Sequence, residues 1–289
     1  MGSFEGVLIE EGMTAADAEA ALPLSAEAGW NQTAEDWRFM LHVGQGVGVR
    51  DASGRWIGSS LALPLGEDLS WISMVLVAKD QRRRGLGTRL LRRCVEEVQR
   101  AERAAGLDAT EFGRSVYLPR GFRDLYPISR LWLEIPVRAE PLPTGHRIRP
   151  LIAADLVAVD AFDASRSAME RGHVLDYLFW QAPSSAFGVE VEERIVGYLF
   201  GRPGRAAFQI GPVVADDENV ACALVTNALV GANLPVILDM PDAHLGLRRW
   251  LDGAGAVRQR GFMRMTLGKP PRGLGDTSRI FALAGPEFG

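Results

Sequence analysis

Cysteine and histidine are scarce in this sequence of 289 residues, which has two cysteines and four histidines. Two cysteines cannot form a disulfide framework, so we expect a reducing compartment, the cytoplasm. The sequence has no His-Glu-x-x-His and no Cys-x-x-Cys pattern, so we expect no metal site. Cys94 and Cys222 both fall in helix-like apolar patterns, which predicts a small, buried hydrophobic side chain at each position.

Long apolar runs are also missing. No stretch approaches the roughly 18 apolar residues that a membrane-spanning helix needs. Segment 1–6 has no apolar core typical of a signal peptide, and it has glycine where a myristoylation signal needs serine or threonine. We therefore expect no membrane partner. Hydrophobic residues make up 47% and charged residues 24%, as in a globular chain with a sizeable core.

A surplus of positive charge is absent as well. The formal net charge is −4, with 17 basic and 20 acidic residues up to position 140 and 15 and 16 after it. Neither part has the basic excess that is typical of a nucleic-acid-binding domain. The arginine-rich stretch 82–93 leaves nucleic-acid binding as an alternative hypothesis, but the balanced charge argues against it, and we expect no nucleic-acid partner.

The domain organisation follows from length and from one change in composition. A chain of this length is typical of two domains. Segment 136–147, "PVRAEPLPTGHR", contains three prolines and a glycine and is typical of a linker. We predict a boundary near residue 140, between a domain over 1–140 and a second over 141–289.

The two predicted domains share one order of elements. Three strands, a helix, a strand, a helix and a strand are predicted in each, and Arg55–Gly58 of the first matches Arg194–Gly197 of the second. Threonine followed three residues later by aspartate, at Thr14 and at Thr33, predicts two capped helices near the start. The sequence therefore predicts an α/β (α+β) fold built from a tandem repeat.

The stretch 79–91, "KDQRRRGLGTRLL", predicts an anion site. It follows an apolar strand over 71–77 and leads into an apolar-periodic helix, whose first turn has free N–H groups and a partial positive charge. Gly85 and Gly87 let the backbone approach an anion closely, and neighbouring arginines add charge. A P-loop would have lysine at Thr88, and a dinucleotide fingerprint would have glycine at Leu90, so both fit less well.

At this point two motifs resemble those of the GCN5-related N-acetyltransferases (GNAT). Arg82-x-x-Gly85-x-Gly87 is similar to the acetyl-CoA signature of that family, and Tyr117-x-x-x-Gly121-Phe122 resembles its tyrosine turn. The resemblance covers most of 1–137 by motif, and 145–267 by element order alone. It implies two tandem GNAT-like domains, each with a mixed, mostly antiparallel sheet flanked by helices.

The resemblance also implies a set of site residues. The strand before the loop pairs with the pantetheine arm, and the loop amides hold the pyrophosphate of acetyl-CoA. The implied coenzyme-binding residues are Met74, Val75, Leu76 and Val77 on the strand and Arg82, Arg83, Arg84, Gly85, Leu86, Gly87 and Thr88 in the loop. Tyr117 matches the family's general acid, and Trp30 and Asn31 lie where the amine pocket is expected.

A general base is missing from the predicted strand, "SWISMVLV", where many family members have a glutamate. Asp36, Glu67 and Asp68 are the nearest acids in sequence, but each is predicted to be a surface carboxylate. A chain of water molecules into bulk solvent is therefore expected to remove the amine proton, with direct attack and no covalent enzyme intermediate.

The second repeat lacks the anion motif. At the equivalent position it has Asp216, Asp217 and Glu218 in place of arginine and glycine, and like charges repel. We therefore expect no coenzyme A binding there, in a degenerate copy that borders the acceptor cleft or mimics a dimer partner. The alternative is a separate ligand site near His173, Asp176 and Tyr177, although such a cluster is more typical of a surface helix. The apolar tail, 272–289, is predicted to lie in the cleft between the halves.

The sequence thus predicts an N-acetyltransferase that moves the acetyl group of acetyl-CoA to a primary amine of a small molecule. The alternative is a non-catalytic acyl-CoA sensor or regulatory module, which would explain the missing base. The composition does not select among amine acceptors, and both a monomer and a homodimer fit.

Overall fold

A computed structural model describes residues 8–134, 145–230, 232 and 235–289. Contacts divide the chain into two units, one that ends at Ala105 and one that begins at Gly106. Strand β5 (Ala104–Ala109) spans this division. The predicted boundary near residue 140, and most of the predicted linker, lie outside the described residues, so that boundary stays a prediction.

The described part of the first unit contains an antiparallel sheet and three α-helices. Its strands are β1 (Ile9–Met13), β2 (Gln45–Arg50), β3 (Trp56–Pro64) and β4 (Leu69–Val77), and its helices are α1 (Ala18–Glu27), α2 (Ala34–Val43) and α3 (Leu86–Arg100). The strands pair in chain order, β1-β2-β3-β4. Every residue of β3 except its last is buried, as expected for a strand with helices on its faces.

Both predicted capped starts are confirmed. The Thr33 N–H donates to the Asp36 carboxylate at 2.8 Å, and the Asp36 N–H donates to the Thr33 hydroxyl at 3.2 Å, so each satisfies a backbone group at the start of α2. At Thr14 the backbone N–H donates to the Asp17 carboxylate at 2.9 Å, and a 3-10 turn begins there that leads into α1. Trp37 of α2 is fully buried and donates its indole N–H to Ser25 at 3.0 Å, which fixes α2 against α1.

The described part of the second unit contains the remaining elements. Its helices are α4 (Glu111–Tyr117), α5 (Leu156–Ser167), α6 (Gly172–Gln181), α7 (Glu218–Val230) and α8 (Leu245–Gly253). Its strands are β6 (Arg123–Leu133), β7 (Arg147–Pro150), β8 (Ala186–Val191), β9 (Arg194–Arg202), β10 (Phe208–Ala215), β11 (Val236–Pro241), β12 (Val257–Leu267) and β13 (Ile280–Ala282). Their order is β12-β6-β11-β10-β9-β8-β7, with β13 on β10.

The element order repeats in full. The first copy runs β1-α1-α2-β2-β3-β4-α3-β5-α4-β6, and the second runs β7-α5-α6-β8-β9-β10-α7-β11-α8-β12. Within the second sheet, β10 and β11 are parallel and the other recorded pairs are antiparallel. The predicted class, α/β with mixed, mostly antiparallel sheets and flanking helices, is confirmed.

The pairing of strand β6 explains why the second unit already begins at Gly106, well before the predicted boundary near residue 140. In sequence it closes the first repeat, but it pairs antiparallel with β11 on one side and with β12 on the other. Ile128, for example, is opposite Pro241 and also opposite Phe262. The last strand of the first repeat is therefore a central strand of the second unit's sheet, and Leu131 and Leu133 join its core.

Candidate active site

The predicted anion loop runs from the end of β4 to the start of α3. A 3-10 turn over Lys79–Gln81 leads into the loop, and Gly85 caps the helix in the left-handed region, with φ +76°. The Arg89 N–H donates to the Gly85 carbonyl at 3.0 Å, the first bond of α3. A Cβ on Gly85 would meet no atom within 4 Å, so the backbone there faces open space. A helix start preceded by glycine in this conformation is the kind of place where backbone amides can bind an anion, and anion binding here stays a prediction.

The arginines of the loop are exposed, as an electrostatic role requires. Arg82 donates its Nε–H to the Val77 carbonyl at 3.1 Å, which ties the loop to the end of β4. Arg83 has φ +63°, so the loop turns sharply there. A second contact holds the same end of the loop: Arg55 pairs at 2.6 Å with Asp80, in the 3-10 turn that follows β4, and this hydrogen bond lowers the pKa of the Asp80 carboxyl.

Strand β4 is interrupted where the coenzyme arm is predicted to pair. Ser59 is opposite Leu76 and Leu61 is opposite Ser73, so Met74 and Val75 together face only Ser60. Met74, which is 1% exposed, has φ +52°, a left-handed conformation that is uncommon outside glycine. This two-against-one arrangement is a β-bulge, and it re-aims the backbone of β4 beyond Met74.

The hydroxyl of Ser59 holds this bulge. It donates to the Met74 carbonyl at 2.7 Å in a fully buried setting, and so satisfies an acceptor that the register shift takes out of the ladder. Ser59 was not among the site residues predicted from the sequence. The available signal was a pair of serines inside the otherwise apolar strand β3.

Tyr117 lies in the second unit, at the last residue of α4. Its ring is partly buried and packs at 5.7 Å from the ring of Phe122, across the turn that Gly121 makes with φ +88°. Thr110 caps α4 by accepting from the Gly113 N–H at 3.1 Å. The tyrosine of the motif therefore ends a capped helix and is followed by a left-handed glycine.

The segment between α1 and α2 carries the residues predicted to border the acceptor. Trp30 is half-buried, and its N–H donates to the Ser25 carbonyl at 3.0 Å. Asn31 is only 3% exposed. The backbone of Trp30 is therefore tied to α1 and Asn31 is buried, and contact of either side chain with an acceptor stays a prediction.

Of the three acids weighed as a base, two lie at the surface as predicted. Glu67 and Asp68 are exposed, between β3 and β4. The prediction that Asp36 is a surface carboxylate was wrong, because its residue is 1% exposed and its carboxylate caps α2. A carboxylate that is committed to the helix start is poorly suited to accept a proton from a substrate.

The counterpart loop in the second repeat is held by its own acids. Asp216 pairs with Arg166 at 2.9 Å, Asp217 accepts from the Val220 N–H at 2.9 Å, and Glu218 accepts from the Leu247 N–H at 2.8 Å. The carboxylates that replace the arginine and glycine motif therefore have structural roles. The prediction that Cys222 is buried like Cys94 was also wrong, since Cys222 of α7 is half-buried.

Comparison with known families agrees with the repeat. The model described as the acetyltransferase (GNAT) family matches residues 16–115, and the model described as an acetyltransferase (GNAT) domain matches residues 159–282. Together these matches cover 224 of 289 residues, 100 in the first and 124 in the second. The chain belongs to the GNAT family, as the two motifs predicted, and contains two GNAT domains in tandem, as the repeated order of elements predicted.

Relatives share this architecture over most of their length. An uncharacterised N-acetyltransferase of Bacillus subtilis (strain 168), YitH, is 25% identical over 234 residues, 78% of this chain and 79% of that protein. A GCN5-related N-acetyltransferase from Sphaerobacter thermophilus superposes with TM-score 0.65 at 19% identity, covering 92% of this chain and 96% of that one. A tandem GNAT protein from the clavulanic acid biosynthesis pathway gives TM-score 0.64 at 16% identity, covering 90% and 98%. At these identities the two structures show the fold.

The described residues also bear on membrane spans and metal sites. None of the helices in the described ranges has both the length and the apolar character needed to cross a membrane. Among the same residues, no cluster of three or more His, Cys, Asp or Glu side chains has an arrangement that could hold a metal ion.

Proposed function

We propose that this chain is an N-acetyltransferase that transfers the acetyl group of acetyl-CoA to a primary amine of a small molecule. One observation carries the proposal. Strand β4 passes through the Met74 bulge and leads into an exposed arginine-glycine loop at the start of α3, so a strand edge and an anion site follow one another. This order suits a ligand with an extended amide-containing arm and a pyrophosphate.

The residues of the loop fit the phosphate end of that ligand. Gly85 presents backbone to open space at a left-handed φ that favours glycine, and three exposed arginines surround it. Leu86 is buried and anchors the first turn of α3, so the amides of Gly85 to Thr88 keep a fixed direction. Val77 packs against Gly87, with 3.4 Å from its Cγ2 to the position of an added Cβ, which keeps the strand end beside the loop.

In the reaction, the chain's residues orient the reactants and move one proton. When bound, acetyl-CoA supplies a thioester whose carbonyl carbon is attacked by the neutral amine, so that a C–N bond forms and the C–S bond breaks. Backbone N–H groups of β4 near Met74 stabilise the negative charge on the carbonyl oxygen. Tyr117 gives its proton to the departing sulfur and is reprotonated from solvent. The surplus proton of the amine leaves through water, since β4 carries no carboxylate.

On the acceptor side, Trp30 and Asn31 are proposed to form part of the amine pocket. Trp30 offers a half-buried aromatic surface, and buried Asn31 holds the segment between α1 and α2 in shape. Trp30→Ala is expected to raise the KM for the amine about tenfold while leaving the coenzyme KM unchanged, as expected for a contact made only by the acceptor. An equal rise in both constants would remove Trp30 from the amine pocket.

One observation favours a second candidate, a non-catalytic acyl-CoA sensor. The strand that enters the loop has no acid, and Asp36, an acid close in sequence to the predicted acceptor segment, is used as a helix cap. Coenzyme binding without turnover on any amine would support the sensor. Steady release of free thiol with one class of amine would exclude it.

The test is a thiol-release screen over amino sugars, polyamines, amino acids and peptide amines, followed by Tyr117→Phe on the best acceptor. We expect kcat to fall about 100-fold or more, with little change in coenzyme binding, because the phenol acts on the leaving group alone. Tyr177→Phe in α6 is the matched control, since that partly buried tyrosine packs against Phe288 in the second repeat. Full activity of Tyr117→Phe would exclude the acid role.

A further inference from the structure

Strand β10 is the counterpart of β4, and it is interrupted in a similar place. Ile210 is opposite Gly201 and Val213 is opposite Leu199 on β9, so two residues, Gly211 and Pro212, face one. Before this bulge, β10 pairs in parallel with β11 over Phe208–Ile210. After it, Val213 and Val214 have a different partner on that side, so the two strands separate.

The chain's own tail fills the gap between these strands. Strand β13 pairs antiparallel with β10, with Ala282 opposite Val213 and Ile280 opposite Val214. On its other side the Leu283 N–H donates to the Asp239 carbonyl of β11 at 2.8 Å. The tail thus bonds to both strands at the point where they part, and it completes the sheet as an added strand.

Close backbone contact at the bulge shows how tightly the gap is filled. A Cβ on Gly211, whose φ is +145°, would overlap the Leu283 carbonyl. Residues 280–284 are each at most 1% exposed. A second extended chain therefore cannot lie beside Val213 and Val214 while β13 is in place.

Residues beyond β13 anchor the tail in a buried ionic centre. Glu287, 2% exposed, pairs with Arg202, which is 1% exposed, and the Phe288 ring packs 5.8 Å from that of Tyr177. Arg171, fully buried and paired with Asp163, also donates to the oxygen of Gly289. Removing the tail would leave the Arg202 charge buried without Glu287, a costly state.

A histidine at the start of α8 fixes the tail from its other side. The rings of His244 and Phe281 are 4.1 Å apart. His244 Nε2 lies 2.9 Å from the Thr277 carbonyl and 2.8 Å from the Ile280 carbonyl. Two carbonyl oxygens can only accept, so this nitrogen carries the proton and donates to the tail just before β13, at Thr277, and at the first residue of β13, Ile280.

We propose that segment 279–289 is a permanent substitute for a coenzyme arm in the second GNAT domain, so that the chain has one coenzyme site and the second domain serves as a closed scaffold. The inference rests on the proposed function, because it assumes that the coenzyme arm in the first domain pairs along β4. The acids at the start of α7 agree with it, since they put negative charge where a pyrophosphate would otherwise bind.

The test combines coenzyme stoichiometry by native mass spectrometry with hydrogen exchange of the full chain, with and without saturating coenzyme A. We expect one coenzyme per chain. We also expect the amides of Leu283 and of Ala215, which donates to the Arg279 carbonyl at 3.0 Å, to keep their protection within about twofold. The amides of Gly85 to Thr88 should gain protection.

Each outcome separates the two proposals. Two coenzymes per chain, or faster exchange at Leu283 and Ala215 on binding, would overturn the closed second domain, because either requires the tail to leave. If the chain binds no coenzyme A at all, the proposed function is wrong. Protected amides at Leu283 and Ala215 would in that case still show that the tail closes the second domain.

Discussion

Strands β4 and β10 occupy equivalent positions in the two repeats but differ in what holds each bulge and in the charge of the helix start that follows. Each is the third strand of a meander, each carries a two-residue bulge against its predecessor, and each leads to a helix start. In the first repeat the serine hydroxyl of Ser59 holds the bulge, and the helix start is rich in arginine. In the second, β13 pairs beside the bulge, and the helix start is rich in carboxylates.

In the second repeat the bulged strand takes up an added strand, and we propose that in the first repeat the charge at the helix start directs a ligand to the corresponding place. Arginine and glycine leave the site suited to an anionic ligand with an extended arm. Carboxylates disfavour such a ligand, and a buried peptide strand takes its place. One duplicated fold can thus supply a ligand site in one copy and a self-filled scaffold in the other.

The largest expected effect is a difference in the alkylation rates of two cysteines. One lies in α3, which follows β4, and the other lies in α7, which follows β10. Burial raises the pKa of the Cys94 thiol of α3 from 9.0 to about 12, whereas Cys222 of α7 is half-buried. A rise of this size lowers the thiolate fraction about 1000-fold at neutral pH. Iodoacetamide should therefore modify Cys222 and spare Cys94 in the folded chain, as peptide mass spectrometry can measure. Equal labelling of both would contradict the buried setting of Cys94.

The next largest effect is expected on the free energy of unfolding when the buried pair of Glu287 and Arg202, which holds the tail, is broken. Glu287→Gln removes the charge that Arg202 faces in the interior, so the free energy of unfolding should fall by about 3 kcal/mol. Urea unfolding measures this change. Glu192→Gln is the matched control, because Glu192 and Arg194 are about 80% exposed and 3.6 Å apart, and an exposed pair contributes about 1 kcal/mol or less. Similar losses in the two variants would show that the tail is not anchored by this pair.

The Ser59 hydroxyl should have a smaller effect, confined to the first repeat. Ser59→Ala leaves the Met74 carbonyl buried without its donor, so the bulge should relax and the coenzyme Kd should rise about tenfold, or roughly 1.4 kcal/mol. Ser60→Ala is the control: Ser60 is equally buried, and it is the residue that faces the bulge from β3. If the two variants bind coenzyme A equally well, Ser59 does not position β4.

Local patterns predicted much of the fold and the loop of the site. Glycine and arginine beside an apolar strand, and threonine three residues before aspartate, act within a few residues of themselves. The loop between β4 and α3 and both capped starts could therefore be predicted directly, whereas anion binding by the loop stays a prediction. The pairing of β6 with β11 and β12 could not, because strand pairing joins residues that are far apart in sequence and leaves no local trace. Its apolar pattern predicted a strand and gave no indication of its neighbours.

The bulges and the tail were missed for the same reason. A bulge depends on the register between two strands, and Met74 in a left-handed conformation has no sequence signal of its own. The tail was predicted to pack in a cleft between the halves because residues 280–284 are apolar. Its place within the second sheet depends on the gap after Ile210 and on buried Arg202, which become neighbours of the tail only in the folded chain.

The most direct test of the central claim, that the loop 82–88 holds the coenzyme in the first repeat, is calorimetric titration of coenzyme A into the parent and two glycine variants. Gly85→Glu adds a side chain and a negative charge at the helix start, whereas Gly145→Glu makes the same change just before β7, away from the loop in sequence, at a similar φ of +81° with no atom near its Cβ. We predict one coenzyme per chain for the parent and for Gly145→Glu, and binding at least about 100-fold weaker for Gly85→Glu. Unchanged binding by a folded Gly85→Glu variant would contradict the assignment of the site.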